Sequence, residues 1–270
     1  MATTNIGHLS IYAITGADAA TFLQNQITAD INKVTAEKAA FTASCDLKGR
    51  AIATFLIAKI DTGFLILVDE NCADELVAHY RKYAAFSKVS IEQRSDLSVH
   101  FCAQSDQPAT NPFSQQDSLI RHPNGTSAWL IQAQASSQQT SLPAARANVD
   151  AGVVFTDASS KSAFIPQIIG VDQLGGISFT KGCYLGQEIV ARMKYLGKSK
   201  KSLHRAKLSG VAPHNGDELQ TAEGKLAGTV VATAGELGEY QILAVISDKF
   251  VNDPLTLNGE MITELTASNS

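Results

Sequence analysis

The chain has 270 residues, 44% of them hydrophobic and 18% charged, with a formal net charge of −4. That composition supports a buried core and excludes a globally disordered chain. The acidic balance argues against a surface that grips nucleic acid all round, while leaving a local basic patch open. No uninterrupted run of about 18 apolar residues occurs, so no membrane-spanning helix is expected. Met1 to His8 has neither the basic nor the apolar region of a secretory signal, which makes the cytoplasm the expected location. Cys45, Cys72, Cys102 and Cys183 are scattered with no C-x-x-C pair. Neither a disulfide framework nor a four-cysteine zinc site is expected, and the first three read as small buried hydrophobes.

In chain order, Ile11 to Ile14 reads as a strand and Thr15-Gly16 as a turn. Asp18 reads as the N-cap of a helix carrying Phe22, Leu23 and Ile27 at helical spacing and ending near Asp30. Ala39 to Cys45, Ala51 to Ile60 and Phe64 to Val68 read as three strands. The turn signals Lys48-Gly49 and Asp61-Thr62-Gly63 separate them, so an antiparallel meander is expected. A helix from about Asn71 to Tyr83 places Leu76, Val77 and Tyr80 on one face, and Lys88 to Ile91 returns as a strand. This order is α+β rather than doubly wound α/β. No G-x-G-x-x-G and no G-x-x-x-x-G-K-[ST] is present, so a nicotinamide or nucleoside-triphosphate site is unsupported.

Asp96 to Ala103 begins another strand, and Trp129-Leu130-Ile131 is a further one. Gln104 to Gln116 reads as a loop, and Gln132 to Leu142 as a linker, a flexible loop or a weak helix. After Lys201, four to six short strand-like runs broken by Gly, Pro, Asp and Asn suggest a small C-terminal β-barrel or sandwich. The expected division is residues 1–95 plus 148–200 as one α+β module, 96–147 as a reduced second module, and 201–270 as the barrel.

The chemistry concentrates between Lys181 and Arg192. Gly182 and Gly186 bracket Cys183-Tyr184-Leu185, a spacing that suits a tight loop or a close backbone approach. Gln187-Glu188-Ile189-Val190-Ala191-Arg192 can open a helix, with Glu188 in the first turn. Cys183 then sits before a helix start and two residues after Lys181, both features that stabilise a thiolate. A reactive thiol and a packed loop cysteine both fit those residues. Eight of the 22 Lys and Arg residues lie between Lys181 and Lys207, with Glu188 the lone acid. They form either an anion site or a solvated face.

These residues carry a family resemblance. Phe164-Ile165-Pro166-Gln167, Leu174-Gly175-Gly176-Ile177-Ser178-Phe179 and Lys181-Gly182-Cys183-Tyr184-x-Gly186-Gln187-Glu188-x-x-x-Arg192 resemble the signature of the YgfZ folate-binding proteins, bacterial relatives of a mitochondrial iron–sulfur assembly factor. Ile14 to Asp18, Phe22 to Asp30, Asp46-x-Lys48-Gly49-Arg50 and Tyr83 to Val89 agree. The resemblance is weakest over Asp96–Ala147. It implies a glycine-cleavage T-protein-like fold, the aminomethyltransferase folate-binding fold, with a C-terminal β-barrel. It also implies tetrahydrofolate, or a folate derivative, as cofactor. The implied role is support of iron–sulfur enzymes, including tRNA-modifying enzymes, which would be partners. The family's central cysteine falls on Cys183. Lys181, Tyr184, Gln187, Glu188 and Arg192 carry over as cofactor-binding positions. Family members place tryptophans near the folate channel. Trp129 is the only tryptophan here, so Tyr12 or Phe residues are expected to supply the stacking surface, with Tyr12 carried as a cofactor-binding position.

The resemblance also weighs against aminomethyl transfer. T-proteins place an acidic residue in the strand after the Gly-Arg turn and another where Cys183 stands. Ala51 to Ile57 holds no carboxylate, which removes the expected acid–base candidates. A non-catalytic adaptor that binds an iron–sulfur partner or RNA through residues 194–207 is the competing reading.

Overall fold

Strict alternation builds the first sheet. Along Leu9–Thr15, Ile11 and Ala13 point one way and Tyr12 and Ile14 the other, and all four are buried. Gly63–Asp69 repeats the pattern with Leu65 and Leu67 against Phe64, Ile66 and Val68. Strands buried on both faces must lie between two apolar layers. One layer is the helices Ala19–Gln26 and Glu70–Ala84, whose Phe22, Leu23, Leu76 and Tyr80 pack on Tyr12, Ile14, Phe55 and Ile66. The other layer is the rest of the protein: Leu56, Ala58, Leu65 and Leu67 join a core with Phe101, Trp129, Ile131 and Phe155.

The computed structural model describes residues 3–103, 111–133, 142–197 and 199–268. The first sheet runs in space Ala40–Cys45, Ala51–Ile60, Gly63–Asp69, Leu9–Thr15, Ser90–Gln93, antiparallel throughout. The expected meander is its first three strands. Asp18 precedes the helix as expected but makes no side-chain cap. Its carboxylate instead accepts the Lys88 backbone N–H at 2.7 Å, which ties the helix start to the chain leading into the last strand.

The second sheet runs Thr3–Asn5, Leu97–Cys102, Ala128–Ala133, Leu119–Arg121, Gln115–Gln116. Thr3–Asn5 pairs with Leu97–Cys102, so the chain's first described strand belongs to the second sheet. Gln115–Gln116 forms strand where a loop was expected. Residues 104–110 and 134–141, which hold most of the expected loop and linker, lie outside the described residues.

Leu142–Ala151 is a helix that the polar composition before it concealed. Pro143 sits in its first turn, where a missing N–H costs nothing. His122 fixes this helix to the second sheet. Its Nδ1 accepts the Asn124 backbone N–H at 3.1 Å, so Nε2 carries the proton and donates to Asn148 Oδ1 at 3.0 Å. The imidazole lies 4.4 Å from the Trp129 ring, and burial pushes its pKa down to about 4.

The C-terminal sheet has seven strands, in the order Glu260–Met261, Leu255–Leu257, Glu218–Thr221, Leu226–Glu236, Glu239–Ser247, Lys201–Ser209, Thr263–Ala267. Bulges at Arg205/Lys207, Leu219/Gln220 and Val230/Ala232 bend its strands, and bulges increase local twist. The sheet curls into a half-barrel. Its concave side encloses Leu208, Leu219, Val230, Ile242 and Leu257. Its other face contributes Leu203, Val231, Leu243 and Val245 to the central core. Among the described residues no helix is long and apolar enough to cross a membrane.

Candidate functional site

The site begins with a strap. Residues 174–179 pass along the outer edge of Ala40–Cys45, where Thr28 and Thr42 hydroxyls both donate to Gly176 O at 2.7 and 3.2 Å. The Ser178 N–H donates to Thr28 O at 2.9 Å. A Cβ on Gly176 would fall 2.0 Å from Phe41 O, so only glycine fits here.

Lys181 then turns inward. Its ammonium donates to Gln24 O and Ile27 O, each at 2.6 Å, and to Ala29 O at 2.8 Å. These carbonyls lie at and just past the end of Ala19–Gln26, where a cation suits the helix dipole. An ammonium has three donors, and all three are engaged. Burial lowers its pKa to about 8, against the pull of Asp30. Lys181 is therefore an anchor, with no donor left for a ligand. Tyr184 is the second anchor: it is buried in the central core, its ring 4.6 Å from Lys181 Nζ, and burial raises its phenol.

Gly186 is the third. It takes φ +80° at the N-cap of Gln187–Tyr195. A Cβ there would lie 2.6 Å from Asp46 O and 2.8 Å from Cys45 Cβ. Gly49, at φ +71°, meets Ile189 from the opposite side, so two glycines interlock the Asp46–Arg50 turn with the helix start. Asp46 Oδ1 holds that turn by accepting the Lys48 and Arg50 backbone N–H groups at 2.8 and 2.9 Å.

Between the anchors the loop is open. A Cβ on Gly182 would meet nothing within 4 Å, so the close approach expected of both glycines applies only to Gly186. Cys183 is exposed, whereas Cys45, Cys72 and Cys102 are buried. Lys181 does not turn its charge toward Cys183, because its ammonium is held by the three carbonyls. Glu188 and Arg192 are exposed one turn apart on Gln187–Tyr195, and Gln187 is half-buried at its first residue. Behind this helix, Gln167 Nε2 donates to Val190 O at 2.6 Å. Gln167 Oε1 and Asp172 Oδ1 are buried without a partner among the described residues.

Tyr12 packs in the helix-side core. It faces the helix layer, under Glu70–Ala84, where burial and Asp74 raise its phenol. Alternation along the strand turns it away from the central core that holds Tyr184. A cavity of about 270 Å³ lies elsewhere, beside the strap, lined by Asp30, Lys33, Val34, Lys38, Ile177 and Phe179 among others. Asp30, Ile177 and Phe179 stand inside the motifs quoted above, but none of these six residues was expected to line a site.

The basic stretch is also partly neutralised. Arg205 pairs with Asp150 at 3.4 Å and Lys207 with Glu264 at 2.7 Å. Lys194 lies 5.3 Å from the Phe179 ring. The strand that follows the Gly-Arg turn presents Thr54 to the core. Its hydroxyl donates to Val154 O at 2.6 Å, and Thr54 and Thr156 exchange backbone N–H to hydroxyl bonds at 2.9 and 2.8 Å. Among the described residues no three His, Cys, Asp or Glu side chains gather as a metal site.

The chain is 32% identical to the tRNA-modifying protein YgfZ of Klebsiella pneumoniae over 275 aligned residues, covering 88% of this chain and 82% of the relative. The chain belongs to the YgfZ family. YgfZ proteins of Cronobacter sakazakii and Escherichia coli O6:H1 are each 30% identical, covering 88% and 91% of this chain and 81% and 85% of theirs. No family model matches the chain. Among solved structures, the glycine cleavage system aminomethyltransferase T from Bartonella henselae superposes with a TM-score of 0.71. The match covers 98% of this chain and 84% of that one at 11% identity, which establishes a shared fold.

Proposed function

We propose that this YgfZ-family chain binds tetrahydrofolate and supports the synthesis or repair of iron–sulfur enzymes, including those that modify tRNA. The observation that carries the reading is the exposed Cys183, held on a loop anchored at Lys181, Tyr184 and Gly186 within an aminomethyltransferase fold. The names of the relatives support the tRNA side, and the fold supports the folate side.

The cavity beside the strap suits a folate. Phe179, Ile177 and Val34 offer an apolar wall for a flat ring, Asp30 offers a carboxylate to ring N–H donors, and Lys33 and Lys38 offer cations to glutamate carboxylates. At about 270 Å³ it takes the ring portion of the ligand rather than the whole. Gln187, Glu188 and Arg192 on the following helix and Cys183 on the loop form the open side of the same segment. Lys181 and Tyr184 act here by holding that segment in place. Aminomethyl transfer is disfavoured because residues 51–57 hold no carboxylate, and Thr54 among them is committed to hydrogen bonds within the chain. The adaptor reading draws on fewer charges than residues 194–207 suggest, since Arg205 and Lys207 are paired within the chain.

Calorimetric titration with tetrahydrofolate tests the folate part. Saturable binding that Phe179→Ala and Asp30→Asn weaken supports it, and absence of binding at millimolar ligand overturns it. For the thiol, Cys183→Ala is compared with the unaltered chain in cells lacking their own YgfZ, reading the activity of an iron–sulfur tRNA-thiolating enzyme. Loss of rescue is expected, and full rescue would remove Cys183 from the mechanism.

A further inference from the structure

A second cavity system lies far along the chain from the Cys183 loop. The seam where Leu142–Ala151 packs on the C-terminal sheet is apolar at Ala144, Ala147, Ala234 and Leu243. Toward solvent the seam widens into a polar groove of about 500 Å³ that includes Arg146, Glu239, Tyr240 and Thr263 in its walls. A neighbouring hollow of about 280 Å³ shares Lys207, Gln241 and Glu264 with it.

Three features distinguish this groove from an ordinary surface crease. Gln241 Oε1 is buried without a hydrogen-bond partner among the described residues. A buried acceptor left unpaired is costly, and a donor-bearing ligand would remove that cost. Glu264 holds φ +51° while its carboxylate pairs with Lys207, and a non-glycine residue in that region stores strain. Finally, Lys207 and Arg205 are matched to Glu264 and Asp150, but Arg146 on the helix wall and Glu239 on the sheet wall have no ion pair among the described residues. The groove thus presents an unmatched cation, an unmatched anion and an unmatched amide oxygen.

We infer that this groove is a binding site for a short zwitterionic peptide with both termini free. Its carboxylate meets Arg146, its ammonium meets Glu239, and an N–H along it donates to Gln241 Oε1. This site is separate from the proposed folate cavity and does not depend on that reading.

The test is titration of the whole chain with trialanine, followed by ligand-observed NMR and calorimetry. A Kd of about 1 mM or tighter is expected, and N-acetyl-trialanine amide, which lacks both charges, should bind about tenfold more weakly. Arg146→Ala, Glu239→Ala and Gln241→Leu should each weaken trialanine about fivefold or more. Arg146 and Glu239 are exposed, and unchanged melting temperatures would show that the variants fold. Cys183→Ala should leave trialanine binding as it is. Absence of saturation by trialanine, equal binding of the blocked peptide, or indifference to Arg146→Ala and Glu239→Ala would each overturn the assignment.

Discussion

Lys181 is a half-buried nitrogen base and His122 a fully buried one, and they use opposite solutions. Lys181 meets three backbone carbonyls that reward a positive charge. His122 is wedged between Asn148, the Asn124 backbone and Trp129, where burial favours the neutral ring. The first holds a surface loop that displays an exposed thiol. The second joins a helix to a sheet with nothing displayed. The two differ in what lies beside them: Gly182 and Cys183 form an open surface next to Lys181, the surface on which the proposed function rests.

That contrast can be broken by mutation. The largest effect is expected from Gly186→Ala, which forces a Cβ onto Asp46 O and Cys45 at positive φ. A loss of at least about 4 kcal/mol in urea unfolding is expected, and a near-neutral result would mean the turn and helix do not interlock. Acid should expose His122 next. Below its ordinary 6.5 the unfolded chain protonates this imidazole, while the folded chain resists until about 4. The unfolded state binds more protons through that window, so stability falls as pH drops, by about 3 kcal/mol in all. Urea midpoints measured from pH 7 to pH 4 should flatten in His122→Gln, and an unchanged slope would remove His122 as the cause.

Lys181→Met should cost about 2–3 kcal/mol by leaving three carbonyls without their donors. It should also weaken Cys183-dependent rescue by loosening the loop. Gly182→Ala and Cys183→Ala should shift stability by no more than about 0.5 kcal/mol, whereas Cys183→Ala should abolish rescue. A large stability loss in either would place the open half of the loop among the anchors.

The sequence made the first module readable because its signals are local. The apolar runs of Ala51–Ile60 and Phe64–Val68, the turns between them and the face of Leu76, Val77 and Tyr80 all follow from near neighbours. The Lys181 motif was legible as a place but not as a division of labour. The carbonyls that hold Lys181 lie more than 150 positions earlier in the chain. Alternation showed that Tyr12 has a face but not which layer that face meets. Leu142–Ala151 was hidden by the Ser, Gln and Thr before it, and the pairing of Thr3–Asn5 with Leu97–Cys102 spans almost a hundred residues.

The Gly176 strap has a consequence beyond the site. Ala40–Cys45 is the outermost strand of its sheet, and an outermost strand left bare invites a second molecule to continue the ladder. Residues 27–28 and Gly176 occupy that margin instead, with the Thr28 and Thr42 hydroxyls fastening them. The same glycine that sets the approach to the thiol loop therefore keeps neighbouring molecules apart, so mild warming that lifts the strap should be felt first as self-association.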